Sequence, residues 1–215
     1  MGKSRFAPKR LIKYGTILDA KEHILGRTAA VVARQLLQGR DVTVVRTEGI
    51  NVGGPELRNK RKFLAYLKKK HLTNPKKGPF HFRSPRMMFR KAVRGMLPKN
   101  KRGQEAFTHL RIFEGVPKFL LSKGKRTCIP NSLRPTRFNP IRKYTVLGNI
   151  AKELGWNQVN VVKRYEAKRA EEGKTWLEAK KKKISSLDNA LKTAESQMKP
   201  EDLAILKKFG VAYTK

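Results

Sequence analysis

The sequence predicts an α/β domain with a parallel sheet, preceded by a basic arm and followed by a helical tail. Three stretches carry that prediction. Residues 42–46, VTVVR, are a near-continuous β-branched run, the pattern of a parallel strand covered on both faces. Before it, Ala29, Val32, Ala33, Leu36 and Leu37 fall on one helical face closed by Gly39, and residues 16–20, TILDA, read as a short strand. Strand, helix and strand in about thirty residues make a right-handed βαβ unit. The third stretch is SPRMMFRKAVRGMLPK, residues 84–99, whose helix opens at Ser84 and Pro85 and stops at Pro98.

This third helix sorts its residues by chemistry. Met88, Phe89, Ala92, Val93 and Met96 gather on one side, and Arg86, Arg90 and Arg94 on the other. An isolated helix of this kind would ordinarily present a solvated basic face. Here no carboxylate occurs between Glu56 and Glu105 while Lys and Arg recur throughout, so the positive charge is expected to lack an internal partner and to need an external polyanion.

Along the chain, residues 1–15 carry Lys3, Arg5, Lys9, Arg10 and Lys13 with few apolar residues, too little to order alone, and read as a basic arm that orders on RNA. Arg27, Arg34 and Gln38 lie opposite the apolar stripe of the first helix. After the second strand, TEGINVGGPELRNK is a glycine-rich turn entering a helix with Pro55 at its first position. Leu57, Phe63, Leu64 and Leu67 are expected to face the sheet, with Arg58, Lys60, Arg61, Lys62, Lys68, Lys69 and Lys70 outward. Residues 71–83 form a loop that mixes lysines with His71, Phe80, His81 and Phe82, a composition suited to unstacked bases and phosphates together. Each phenyl ring could equally anchor the loop to the core.

A short helix is expected over 104–110 and a strand over 110–115. From 117 to 143, four prolines punctuate eight basic residues with no acid, as in a segment threading extended between RNA helices. The last 72 residues read as helical. Leu147, Ile150, Ala151 and Leu154 share a face ending at Gly155, a longer helix runs from about Gln158 with an interruption near Gly173, and KPEDLAILKKFG opens a last helix at Pro200. Lys180 to Lys183 resemble a nuclear-import patch as much as a phosphate contact. The expected organisation is thus arm 1–15, α/β RNA-binding core 16–116, extended basic segment 117–143 and helical extension 144–215.

Composition narrows the function. Lys and Arg number 51 against 16 Asp and Glu in 215 residues, a formal charge of +35, and a compact chain so charged repels itself without a polyanion. Residues 1–143 hold 36 basic and 7 acidic residues and 144–215 hold 15 and 9, so the polyanion contact belongs mainly to the first part. The single cysteine, Cys128, excludes an internal disulfide and a cysteine-based zinc site. No apolar run approaches the roughly 18 residues of a membrane span. Gly49 and Gly54 have P-loop spacing, yet Pro55 and Glu56 stand where Lys and Ser or Thr would hold phosphate and magnesium, and no dinucleotide fingerprint occurs. His23, His71, His81 and His109 are scattered, and no carboxylate pair suggests acid and base work, so no enzyme is expected.

The strings GPFHFRSP (78–85), AVRGMLPK (92–99) and KRGQEA (101–106) closely resemble the universal large-subunit ribosomal protein L-thirteen family, in its eukaryotic, L-thirteen-a type, form. ILDA, LGRTAAVVARQLLQGRDVTVVR and EGIN, within 17–51, resemble it too, and YTVLGNIAKELGW (144–156) is similar to its eukaryotic C-terminal extension. The resemblance implies a three-layer α/β/α core with a small parallel or mixed sheet, bound to large-subunit ribosomal RNA in the cytoplasm after nuclear and nucleolar assembly.

The expected role is scaffolding, with a free RNA-binding translational regulator as the alternative. The RNA-binding candidates are Arg27 on the first helix and Arg58, Lys60, Arg61, Lys68, Lys69 and Lys70 on the second. The loop adds Lys76, Lys77, His81 and Arg83; the third helix and the residues just beyond it add Arg86, Arg90, Arg94, Lys99, Lys101 and Arg102. Lys125, Arg126, Arg134 and Arg137 complete the set from the proline-punctuated segment. Arginine suits this work because its planar fork binds phosphate bidentately. No cofactor is expected beyond structural magnesium shared with RNA. Ribosomal RNA and, through the extension, neighbouring ribosomal proteins are the expected partners, with no membrane and no homo-oligomer.

Overall fold

The computed structural model describes residues 15–122 and 124–197. Nearly all of the expected basic arm and the expected helix at 199–210 therefore lie outside the described residues. The chain divides into two units, with the boundary between Tyr165 and Glu166.

The first unit is built on a four-stranded parallel sheet in the order β4-β2-β1-β5. The strands are β1 (Thr16–Asp19), β2 (Val42–Val45), β4 (Leu110–Ile112) and β5 (Arg126–Thr127). Helix α1 (Leu25–Leu37) connects β1 to its parallel neighbour β2, as the βαβ reading requires, and every residue of β2 is buried. Gly39 ends α1 at φ +78°, with its amide bonded to the Leu36 carbonyl and that of Arg40 to the Gln35 carbonyl. A left-handed residue lets the last carbonyls be satisfied in this way, and glycine adopts that conformation without strain.

Alternation along the strands divides the core unequally. Leu18, Val42 and Val44 face a large cluster with Val32 and Leu36 of α1 and Phe89 and Val93 of α3 (Pro85–Met96). Ile17 and Val45 face the other way and pack on Leu120 of α5 (Lys118–Leu121). The α/β class holds, but the layer on that second face is a single helical turn.

The large cluster also takes α4 (Lys101–Thr108) and α7 (Leu147–Glu153). In α7, Leu147, Ile150 and Ala151 are buried, and Leu154 follows them into the cluster. Gly155, at φ +92°, turns the chain so that the Trp156 amide bonds the Ala151 carbonyl and its ring joins the cluster. A separate antiparallel pair, β3 (Asn51–Gly53) with β6 (Tyr144–Val146), ties the start of α2 (Glu56–Leu67) to the chain before α7.

Several expectations differ from what forms. Pro55 is the residue before α2, with extended backbone, rather than its first helical residue. Leu57 and Leu64 are exposed and only Phe63 and Leu67 pack on the core, because α2 is fastened by the buried Asn59. The Asn59 Nδ2 lies 3.3 Å from the Gly53 carbonyl, 3.2 Å from that of Gly54 and 3.0 Å from Thr145 Oγ1. Met96, on the last turn of α3, is 45% exposed rather than packed. Helix α4 starts at Lys101 because Asn100 caps it, accepting from the Gly103 amide at 3.0 Å.

The segment 117–143 does more than thread. It supplies α5, strand β5 on the edge of the sheet, and α6 (Arg134–Arg137), with Leu120 and Ser132 buried. Residues from 144 to 165 belong to the first unit, so the expected extension begins inside it. Helix α8 (Val159–Gln197) runs through Gly173 without a break. One interior glycine costs about 1 kcal/mol relative to alanine, and 39 residues of helix absorb it. The described residues of the second unit are the part of α8 from Glu166 onward.

Candidate nucleic-acid interface

Helix α3 is fixed from beneath and bare on top. Ser84 accepts from the Met87 amide at 3.3 Å, Pro85 occupies the first turn, and Met88, Phe89 and Val93 are buried. That anchoring holds Arg86, Arg90 and Arg94 outward, all exposed. None of their side chains forms an ion pair with a carboxylate among the described residues. The guanidinium of Arg90 instead lies 4.7 Å from the ring centre of Phe107 on α4.

The loop before α3 and the outer face of α2 extend this surface. Arg58 and Arg61 are exposed along α2, and Lys68, Lys69 and Lys70 are exposed at its end. Lys76 and Lys77 follow in a short 3-10 turn, 75–77, capped by Asn74. Arg83 is exposed and its Nη1 lies against the backbone at Gly155, where an added Cβ would meet it at 3.0 Å. Lys99, Lys101 and Arg102 continue the exposed charge onto α4. His81 is half-buried, its ring 4.5 Å from that of Tyr66 at 76°, so this histidine, rather than Phe80 or Phe82, pins the loop.

One expectation is corrected by a contact with a distant segment. The basic stretch between Glu56 and Glu105 does have one internal ion pair among the described residues, its partner brought from far along the chain. Lys60 Nζ lies 2.8 Å from Glu153 Oε2 on α7, whereas Glu114 accepts only from the Arg86 backbone amide, at 3.3 Å, and leaves the Arg86 guanidinium unmatched among the described residues. Lys60 is therefore ion-paired rather than free. Sequence distance hid this, because Glu153 stands 93 positions beyond Lys60.

Beside α3 lies a cleft of about 790 Å³, bounded by α2, α3, α4 and the 78–83 loop. Phe63, Tyr66, Phe80, Phe82 and Phe107 line it, as do Lys62, Arg90, Lys91 and Arg94. Lys91 Nζ sits 3.1 Å from the ring centre of Tyr66. Lys62 and Lys91 are absent from the candidates read from the sequence. Lys62 was legible as an outward residue of α2, whereas no sequence signal places Lys91 over Tyr66.

The remaining candidates sit elsewhere. Arg27 is exposed on α1. Lys125 and Arg126 line a second cleft, about 780 Å³, at the carboxyl ends of β1, β2 and β5. There Asp19 is bonded by Arg46, through Nε at 2.8 Å and through Nη2, and Arg126 Nη1 approaches the same carboxylate at 3.8 Å. Arg46 holds φ +55° to do so. The half-buried Arg134 stacks its guanidinium 4.4 Å from the ring centre of Tyr144, and Arg137 bonds the Asn131 carbonyl and side chain. Arg126, Arg134 and Arg137 thus make contacts within the fold, whereas Arg27 and Lys125 stand exposed.

The histidines also serve local structure. His23, 1% exposed, donates from Nδ1 to the Lys21 carbonyl and accepts at Nε2 from the Ile129 amide, both at 2.9 Å. His109 Nδ1 lies 2.8 Å from Asp41 Oδ1. No group of three or more metal-ligating side chains occurs among the described residues, and no helix described is long and apolar enough to cross a membrane.

Residues 14–118 match the family model for ribosomal protein L13. Over 199 residues, covering 90% of this chain and 94% of the other, the chain is 43% identical to the large ribosomal subunit protein uL13 of Drosophila melanogaster. The matched span contains the parallel sheet's first three strands and the whole α2–α3 surface, and together these likenesses show that the chain belongs to the ribosomal protein L13 family.

Proposed function

We propose that this chain is a structural, non-catalytic constituent of the large ribosomal subunit that bridges segments of ribosomal RNA. The observation that carries the reading is the α2–loop–α3 surface, where Arg86, Arg90 and Arg94 stand exposed on a buried anchor without carboxylate partners among the described residues. Cations held in line and left unpaired gain most from a polyanion, and binding two phosphate strands at once lowers their mutual repulsion. Family membership supports the particle in which this happens.

The contacts are Arg58, Arg61, Lys68, Lys69, Lys70, Lys76, Lys77, Arg83, Arg86, Arg90, Arg94, Lys99, Lys101 and Arg102, with Lys60 steadied by Glu153. Helix α8, whose Trp176 and Leu187 are each 63% exposed, serves neighbouring ribosomal proteins. The chain works on cytoplasmic ribosomes after passing through the nucleolus. Sedimentation of the tagged chain through sucrose, before and after a wash at roughly 0.5 M salt, tests the proposal, since phosphate contacts weaken steeply with salt. Near-equimolar co-migration with large subunits after the wash is expected. Release into the light fractions would contradict it.

A further inference from the structure

We propose that the cleft beside α3 takes unpaired nucleobases, so that this surface holds single-stranded RNA and does not only clamp the phosphates of a duplex. The inference rests on the RNA-binding function proposed for this surface and names the part of the RNA that enters.

The cleft's volume, about 790 Å³, falls in the roughly 300–1,000 Å³ range of pockets that bind small ligands. Its rings are of two kinds. Phe63 and Phe107 pack partly against the core and form its fixed wall. Phe80 and Phe82 belong to neither hydrophobic cluster and are 77% and 55% exposed. Two phenyl rings left in water, two residues apart on a loop without helix or strand, mark a surface that something apolar covers.

Charge decides what the occupant is. Lys62, Arg90, Lys91 and Arg94 line the cleft, and among the described residues no carboxylate does. An apolar protein segment would cover the rings and leave the cations unmatched. An RNA duplex would match the cations but keep its base faces stacked inside the helix, out of reach of the rings. A single-stranded nucleotide satisfies both, with its base against Phe80 or Phe82 and its phosphate at the α3 arginines. Stacking of this kind tolerates any base, so the cleft selects unpaired over paired RNA with little preference for base identity.

The test uses the full-length chain and two probes: a short oligouridylate carrying one 2-aminopurine, and an RNA duplex with the same number of phosphates. The variant is Phe80→Leu with Phe82→Leu, which keeps apolar bulk, removes the π faces, and touches neither core cluster. Relative to the native chain, its affinity for the single strand is expected to fall roughly 5- to 100-fold per ring, with loss of 2-aminopurine quenching. Duplex affinity and its salt dependence are expected to stay the same. Equal losses for both probes, or no loss for the single strand, would overturn the proposal. A leucine pair that binds RNA normally, beside a Phe80→Ser, Phe82→Ser chain that no longer enters large subunits, would overturn it in favour of a protein segment in the cleft. Failure of the RNA-binding reading is distinguishable, because the native chain would then bind neither probe in a salt-dependent way.

Discussion

The two clefts of the first unit are nearly equal in size, about 780 and 790 Å³, and treat charge in opposite ways. The first lies at the carboxyl ends of β1, β2 and β5, where an open parallel sheet most often binds its ligand, and topology alone would nominate it. Yet it carries two carboxylates, Asp19 and Glu22, beside its cations, and Asp19 is shared by Arg46 and Arg126, so much of the charge there is matched within the fold. The second lies beside α3, away from the strand ends, with four cations and, among the described residues, no carboxylate on its walls. Whether the fold has already paired a charge says more about an external ligand than the number of charges or their place on the sheet.

That contrast makes stability and RNA binding separable. The largest loss of stability is expected for Asp19→Ala, which strands the guanidinium of Arg46, 21% exposed, and weakens the hold on Arg126. Breaking a mostly buried pair from one side costs about 3 kcal/mol. Urea denaturation would measure it, and RNA affinity of the folded fraction should be unchanged. Asn59→Ala comes next, at about 2 kcal/mol, because the carbonyls of Gly53 and Gly54 lose a buried donor. It would loosen α2 against the β3–β6 pair and blunt the contrast by disturbing the second cleft's wall. Smallest is Lys60→Ala, since the pair with Glu153 is about a third exposed on each side and worth less than about 1 kcal/mol. A larger loss in either denaturation or RNA binding would mean that Lys60 belongs to neither category as drawn.

Much of the frame was legible because its periodicities are strong. The buried face of α1, the β-branched run of β2 and the two-faced α3 all follow from spacing that tertiary context reinforces. Strands β3 and β6 were not legible. Each is three residues long, and they pair Asn51 with Val146 across 95 positions, a match that only the closed chain makes. Strand β5 is two exposed residues, Arg126 and Thr127, inside a proline-punctuated stretch, and carries no alternation to read. On α2 Leu57 and Leu64 misled because a hydrogen-bonded asparagine, with Phe63 and Leu67 alone of the apolar stripe, holds the helix.

The interface divides along the same line. Local charge patterning exposed the arginines of α3 and the lysines at the end of α2. Partners arriving from distant segments, such as Glu153 at Lys60, Asp19 at Arg126 and Tyr144 under Arg134, decide which cations are spent, and those are tertiary facts. The roles of Phe80 and Phe82 were equally balanced in sequence, and only their exposure beside the α3 arginines separates rim from anchor.

The outward arginines of α3 hold RNA and add little to folding, no more than the stacking of Arg90 on Phe107 supplies. The most direct test is competition between the tagged native chain and Arg90→Glu with Arg94→Glu in the same cells, counting both in purified large subunits. Losing two phosphate contacts lowers affinity roughly 30-fold near physiological salt, before any repulsion from the new carboxylates. The double variant should be depleted from large subunits to that order while its stability in urea falls by no more than the about 1 kcal/mol that stacking of Arg90 on Phe107 can contribute. Equal occupancy of the two chains, or depletion accompanied by a larger destabilisation of the free protein, would contradict the account.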